Sequence, residues 1–272
     1  MSKIDEYIAE IKTQQIGETG ARVLIVEGPD DVDAYRILLE RRHPEWERGW
    51  RIVVGGNKRQ TLKIIEKEPT WLGLVDHDEW TQEERERNIA DTPNLMVLPR
   101  FCLESYLIDP EELWQAFPGK QQNKIAGGLP QLQAALAQHK AAWLRHAALW
   151  HVINPLWRRL TAQGFTSGVL DPQNIPDDAS LLQTLQSWHT TLDAQATLDA
   201  VHRQLAELQA MPDKELFASR IYSKAFYPQV VHRLLNDLLG QRPAKERRLA
   251  IFRTLPIPAD LDPVWQRMGL MP

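Results

Sequence analysis

The 272-residue chain has one cysteine, Cys102. A lone thiol closes no internal disulfide and builds no zinc site of the multi-cysteine kind, which points to a reducing compartment. No apolar run approaches the ~18 residues that a membrane-spanning helix needs. The N-terminal stretch MSKIDEYIAEIK has acidic residues where a signal or transit peptide would not. The expectation is therefore a cytoplasmic protein with no membrane partner. The pattern G-x-x-x-x-G-K-[ST] is also missing, so the chain is not its own P-loop ATPase. An internal repeat is absent, and the net charge of −4 gives no global nucleic-acid signature.

What is present is ordinary in bulk and uneven in detail. Apolar residues make up 43% and charged residues 25%, as in a soluble globular protein of one large or two small domains. Residues 1–104 hold 15 Lys+Arg against 21 Asp+Glu, and the remainder holds 17 against 15. Local basic clusters come late, as WRRL at 157–160 and RPAKERRLAIFR at 242–253. Each either contacts phosphate or forms a solvated helix face, and the solvated face is the expected role.

Along the chain, Ile4, Tyr7, Ile8 and Ile11 fall at helical spacing. RVLIV (22–26) then reads as a buried strand, and a helix follows from about Asp30 to Arg42 with Val32, Tyr35, Leu38 and Leu39 inward. RIVVGG (51–56), WLGLVD (71–76) and NLMVLP (94–99) read as three further strands, with RQTLKIIEKE and TQEERERNIA as helices between them. Such alternation implies crossover connections and a parallel sheet with helices on both faces, an α/β fold. From Leu103 the pattern turns helical, in LESYLIDPEELWQAF, in a run from Gly128 to Leu160 and in another from Ala179 to Met211. LPIPADLDP (255–263) reads as an extended tail. The division expected is a catalytic α/β unit over 1–112 and a mainly α-helical domain over 113–272. Most of the ten tryptophans lie in the helical half beside Arg, Lys or His. Stacking on bases is one role for them, and core packing is the expected one.

The chemistry concentrates at two strand ends. VEGPDD places Glu27, Asp30 and Asp31 within five positions, and LVDHD places Asp76, His77 and Asp78 at the end of the third strand. Ligands bind outside the carboxyl ends of strands in an open parallel sheet, so both groups emerge on one edge. Asp31, one turn into the helix, can turn back to the same pocket. Like charges a few Å apart repel by roughly 4 kcal/mol per pair at an intermediate dielectric, so the cluster calls for a cation. Mg²⁺ or Mn²⁺ suits, because hard divalent ions take oxygen ligands and keep waters for phosphates. The plainer role for Asp30 and Asp31 is to cap the helix, and for Asp76 and Asp78 to start a loop.

This constellation resembles the Toprim domain shared by topoisomerases, bacterial primases, OLD (overcoming lysogenisation defect) nucleases and some RNA maturases. The resemblance covers roughly residues 20–110, with Glu27 at the first strand end, Asp31 as the acidic position of the nuclease branch, and Asp76 and Asp78 as the DxD. The cysteine-rich zinc modules usual in topoisomerases and primases have no counterpart here. LPRFCLESYL looks instead like the OLD-like and stand-alone Toprim proteins of anti-phage loci, the effectors of the PARIS system among them. The resemblance makes Glu104 a fifth metal-site carboxylate; its plainer role is an exposed residue between core Leu103 and Leu107. That branch also brings a lysine from the helical region, here Lys224 in RIYSKAFYPQVVHRLL, which either snorkels to solvent or stabilises negative charge. His77 is expected to orient or contact phosphate, and Arg233 is a weaker candidate for substrate contact.

The implied activity is metal-dependent phosphodiester cleavage with Glu27 as ligand or general base and Lys224 offsetting transition-state charge. The implied setting is a toxin-like defence effector held by a separate P-loop ATPase, with transfer RNA as the favoured substrate. Three alternatives stay open: an OLD-type DNA nuclease, a ribosomal-RNA maturase, and a non-enzymatic module that binds Mg²⁺ or docks a partner. A homodimer is compatible with the residues and not demanded by them.

Overall fold

The computed structural model describes residues 2–78, 80–171 and 173–271. Helix α1 (Lys3–Glu10) precedes strand β1 (Arg22–Val26), which is followed by α2 (Pro29–Arg42), β2 (Trp50–Val54), α3 (Lys58–Lys67), β3 (Leu72–Val75), α4 (Gln82–Asp91) and β4 (Leu95–Val97). The four strands form one sheet in the order β2-β1-β3-β4, every pair parallel. Register is fixed by the pairs Val26↔Val54, Val26↔Leu74 and Val75↔Val97. The α/β expectation is met in this coarse form.

The strands read as unbroken apolar runs because both faces are covered. Along β1, Leu24 and Val26 join one buried cluster while Val23 and Ile25 join another, the period of two that a strand imposes. The second cluster packs β1 against α1 and α3 through Ile8, Ile64 and Ile65. The first continues from α2 through Tyr35, Leu38 and Leu39 into the helical region as far as Trp265 and Met268. One continuous apolar core therefore spans both sides of residue 112.

After β4 the chain makes a 3₁₀ turn over Leu103–Leu107 and then is helical: α5 (Pro110–Ala116), α6 (Gly119–Gln122), α7 (Gly128–Ala137), α8 (Lys140–Ala162), α9 (Asp178–Thr191), α10 (Ala194–Ala210), α11 (Asp213–Ser219), α12 (Ser223–Phe226), α13 (His232–Leu239), α14 (Ala244–Phe252) and α15 (Asp262–Arg267). Two long helical runs expected from periodicity are each broken. The first pauses at 138–139, and the second breaks where Asp193 caps α10 by accepting a hydrogen bond from the Ala196 N–H at 2.8 Å. The expected extended tail instead carries a 3₁₀ turn at Ala259–Leu261 and leads into α15. Its Leu255 and Leu261 are buried, and Asp260 accepts hydrogen bonds from Arg100 Nε at 2.8 Å and from the Tyr106 hydroxyl at 3.1 Å.

The tryptophans divide. In the helical half Trp265 is core, as expected, Trp114 and Trp143 are partly buried against the core, and Trp157 is 62% exposed, while Trp46, Trp50 and Trp71 of the α/β half are buried as well.

Candidate functional site

The connection from β1 leads to β2 on one side, and β3 lies on its other side, so the strand order reverses between β1 and β3. A crevice opens outside the carboxyl ends at such a reversal. Glu27 follows β1 and Asp76 follows β3, so the fold delivers both to that point. Glu27 Oε1 accepts the backbone N–H of Asp76 at 2.7 Å, which ties the two strand ends together.

Asp31 lies in the first turn of α2, and its Oδ2 accepts the backbone N–H of Gly28 at 2.8 Å. The capping role is thus real, and it fixes the carboxylate inward beside Glu27 and Glu104. Asp30 turns elsewhere, to Arg248 at 2.5 Å. Asp76 and Asp78 are both buried. Lys224 comes from α12, far along the chain, and its Nζ stands 2.8 Å from Asp76 Oδ2 and 2.5 Å from Asp78 Oδ2. Lysine snorkelling away from the site is excluded by these distances.

Lys58 also belongs to the cluster, though nothing in the sequence analysis singles it out. Its Nζ donates to Asp78 Oδ1 at 2.7 Å and sits 4.8 Å from the centre of the Trp80 ring. The Gly55-Gly56 turn places it there. A Cβ on Gly55 would come within 2.2 Å of Thr61 Oγ1, and Gly56 adopts φ +94°, so only glycine lets the start of α3 approach so closely. A lysine in the first turn of a helix works against the dipole. That position, just after a strand that ends on two glycines, was the available signal that Lys58 has an anionic partner.

The surroundings split the carboxylates electrostatically. Burial pushes Asp31 up to about 7, opposed by the Gly28 N–H and reinforced by Glu104 and Glu27. Burial also raises Glu27 despite Lys58 and the Asp76 N–H, and it raises Asp76 despite Lys224. Asp78 is buried too, but there Lys58 and Lys224 outweigh desolvation and hold it below the usual aspartate value. Burial works against the Lys224 ammonium, but Asp76 and Asp78 overcome it and keep the proton firmly bound.

Glu104 sits on the 3₁₀ turn, where its carboxylate accepts from Cys102 Sγ at 3.1 Å and from Arg248 Nη1 at 3.2 Å. It is partly buried and ion-paired, in place of the exposed position considered above. The turn is locked to α12 by Ser105 Oγ and Ser223 Oγ at 2.7 Å, one residue before Lys224. The late basic cluster is mostly consumed in structure: Arg248 bridges Asp30 and Glu104, Lys245 pairs with Asp33 at 2.8 Å, and Arg247 is buried.

His77 and Arg233 do not join the carboxylates. His77 Nε2 lies 3.3 Å from Arg85 Nη1, and burial, then Arg85 and Arg220, lower its pKa to about 4. A neutral imidazole offers phosphate no charge. Arg233 is exposed on α13 and forms no ion pair among the described residues.

The donor set is all oxygen, the kind that hard divalent cations take. Burial raises Glu27, Asp31 and Asp76, so a positive charge placed beside them would favour their ionised forms. Among the described residues, no three His, Cys, Asp or Glu side chains converge as a ready-made metal cage. The two lysines hold Asp78 and Lys224 also holds Asp76, so a cation at Asp76 would displace the Lys224 ammonium. Comparison with protein-family models and with curated proteins finds no match to this chain.

Proposed function

We propose that the chain is a metal-dependent nuclease of the Toprim type. The observation that supports this most is the joining, at the β1/β3 crevice, of Glu27 and Asp31 with Asp76, Asp78 and a lysine from α12. Glu27, Asp31 and Asp76 would hold Mg²⁺ or Mn²⁺, with Glu104 beside them. The ion would supply charge stabilisation and an activated water. Lys224 stabilises negative charge on the phosphoryl group, and Lys58 keeps Asp78 ionised and oriented. Glu27 also braces the two strand ends through the Asp76 N–H.

By resemblance, the setting is an anti-phage effector like AriB of the PARIS system, restrained by a separate P-loop ATPase and cutting transfer RNA. An OLD-type DNA nuclease or a ribosomal-RNA maturase would use the same residues on another substrate. The non-enzymatic reading draws on one observation: Asp78 already has two lysine partners and no ligand cage is preformed. No helix among the described residues is long and apolar enough to cross a membrane.

The test is incubation of the chain with total transfer RNA and with plasmid DNA, in Mg²⁺, Mn²⁺ or EDTA, beside Glu27→Gln. Glutamine keeps an acceptor for the Asp76 N–H while removing the charge. Metal-dependent cutting reduced more than about 100-fold in the variant is the expected result. Cutting of DNA alone selects the OLD-type reading, and folded protein that cuts neither leaves the non-enzymatic module.

A further inference from the structure

One face of α8 carries two rows of side chains four residues apart, His146, Trp150 and Asn154 beside Leu149, Ile153 and Trp157. Residues at that spacing stack along one side of a helix. Together they line an open groove of about 450 Å³. Its apolar members are left to solvent: Leu149 is 38%, Ile153 37% and Trp157 62% exposed.

The groove is joined to the carboxylate cluster. The Trp150 indole N–H donates to the backbone carbonyl of Asp78 at 3.1 Å. Its ring stacks on Tyr222 with centroids 4.1 Å apart and planes at 29°, and Tyr222 stacks in turn on His146 at 5.6 Å. Tyr222 lies two residues before Lys224. A ligand in the groove thus lies beside the Asp78 loop.

Charge narrows the occupant. The 58 residues from 113 to 170 contain no Asp or Glu, in a chain with 36 of them, and they contain six Lys and Arg. Arg145, one turn before Leu149 in the same row, is exposed and unpaired among the described residues, whereas Lys140 and Arg158 are already paired with Asp213 and Glu84. An aromatic groove on a helix that carries no acid, with the unpaired Arg145 at one end, suits a polyanion with flat apolar faces. Stacking on aromatic rings beside basic side chains is how unpaired bases are held without sequence preference.

Building on the nuclease reading, we propose that the α8 groove binds an unpaired base of a single-stranded or looped nucleic acid and presents the neighbouring phosphate to the strand-end carboxylates. Trp157 and Trp150 supply the stacking surface. Arg145 supplies a phosphate contact at the end of the row.

The test is fluorescence anisotropy of a labelled twelve-nucleotide oligouridine and of a duplex of equal length, in EDTA so that nothing is cut. Trp157→Ala is expected to weaken the single strand about tenfold or more while leaving duplex binding unchanged. Because Trp157 is exposed, the variant will fold. Arg145→Ala weakens both ligands and lowers the salt dependence. Leu182→Ala, on α9 and also exposed, retains wild-type binding. Unchanged single-strand binding in Trp157→Ala overturns the proposal, and so does a shift from dimer to monomer in that variant, which would assign the groove to a second copy. If Trp157→Ala loses the oligonucleotide but the wild type cuts nothing with metal, the groove stands and the nuclease reading fails. If cleavage depends on Glu27 and Trp157→Ala binds normally, the groove alone fails.

Discussion

Asp78 and Asp31 share one cluster and have opposite surroundings. Asp78 touches two ammonium groups and is held below the usual aspartate value. Asp31 is partly buried, has one backbone N–H and two neighbouring carboxylates, and rises to about 7. The protein therefore neutralises one corner of its carboxylate cluster with its own lysines and leaves the other to be neutralised by protons or by a bound cation. Burial alone does not decide a carboxylate's role; the sign of what lies within ~4–6 Å does.

The strongest way to break this contrast is to remove a lysine. Lys58→Met leaves Asp78 with Lys224 only. Breaking a buried pair costs about 3 kcal/mol, so Tm is expected to fall by roughly 6–12 °C in calorimetry. Combining it with Asp78→Asn should recover at least about 1 kcal/mol of that loss. An additive pair would show that Lys58 contributes through packing on Trp80 instead.

The opposite corner responds in the opposite direction. Asp31→Asn keeps an acceptor for the Gly28 N–H and removes a charge that burial disfavours. At pH 7.5 without metal it should stabilise the chain by at least about 1.4 kcal/mol, read as a raised urea midpoint. The pH dependence has a fixed sign. Between about 4 and 7, folded Asp31 retains a proton that the unfolded chain has released, so stability falls as pH rises through that window. Asp78, with its lowered value, contributes stability that is lost only as pH falls below the usual aspartate range. Urea titrations from pH 4.5 to 7.5 should show the decline in the wild type and a flatter profile in Asp31→Asn.

The smallest effect concerns Arg248. Its removal frees Asp30 and Glu104, one of them half-exposed, and Arg248→Ala should cost about 1 kcal/mol in the same measurement. A much larger loss would make the α2–α14 bridge a main strut of the cluster.

Much of this contrast was legible in the sequence, and for physical reasons. Four apolar runs ending in acids or glycines fixed the strands and their carboxyl ends, because strands covered on both faces leave no polar alternation to confuse them. Glu27, Asp31, Asp76 and Asp78 followed from those ends. The strand order β2-β1-β3-β4 did not follow, since periodicity reports which face is buried and not which strand is adjacent. Lys58 was missed because a single lysine just after Asn57, which caps α3 by accepting the Gln60 N–H, carries no periodic signal; only the glycine turn hints at it. Arg248 was visible only as part of a charge run, and its partners Asp30 and Glu104 are separated from it by tertiary packing. Trp157 ran against the expected core role because helical spacing predicts a face and not what covers that face.

On the proposed reading, a divalent cation binds at the uncompensated corner of this cluster. Calorimetric titration of Mn²⁺ into the metal-free chain at pH 7, repeated in buffers of different ionisation enthalpy, tests it directly. Saturable binding with proton release, lost in Glu27→Gln, is the expected result. No binding, or binding that Glu27→Gln leaves unchanged, would contradict it.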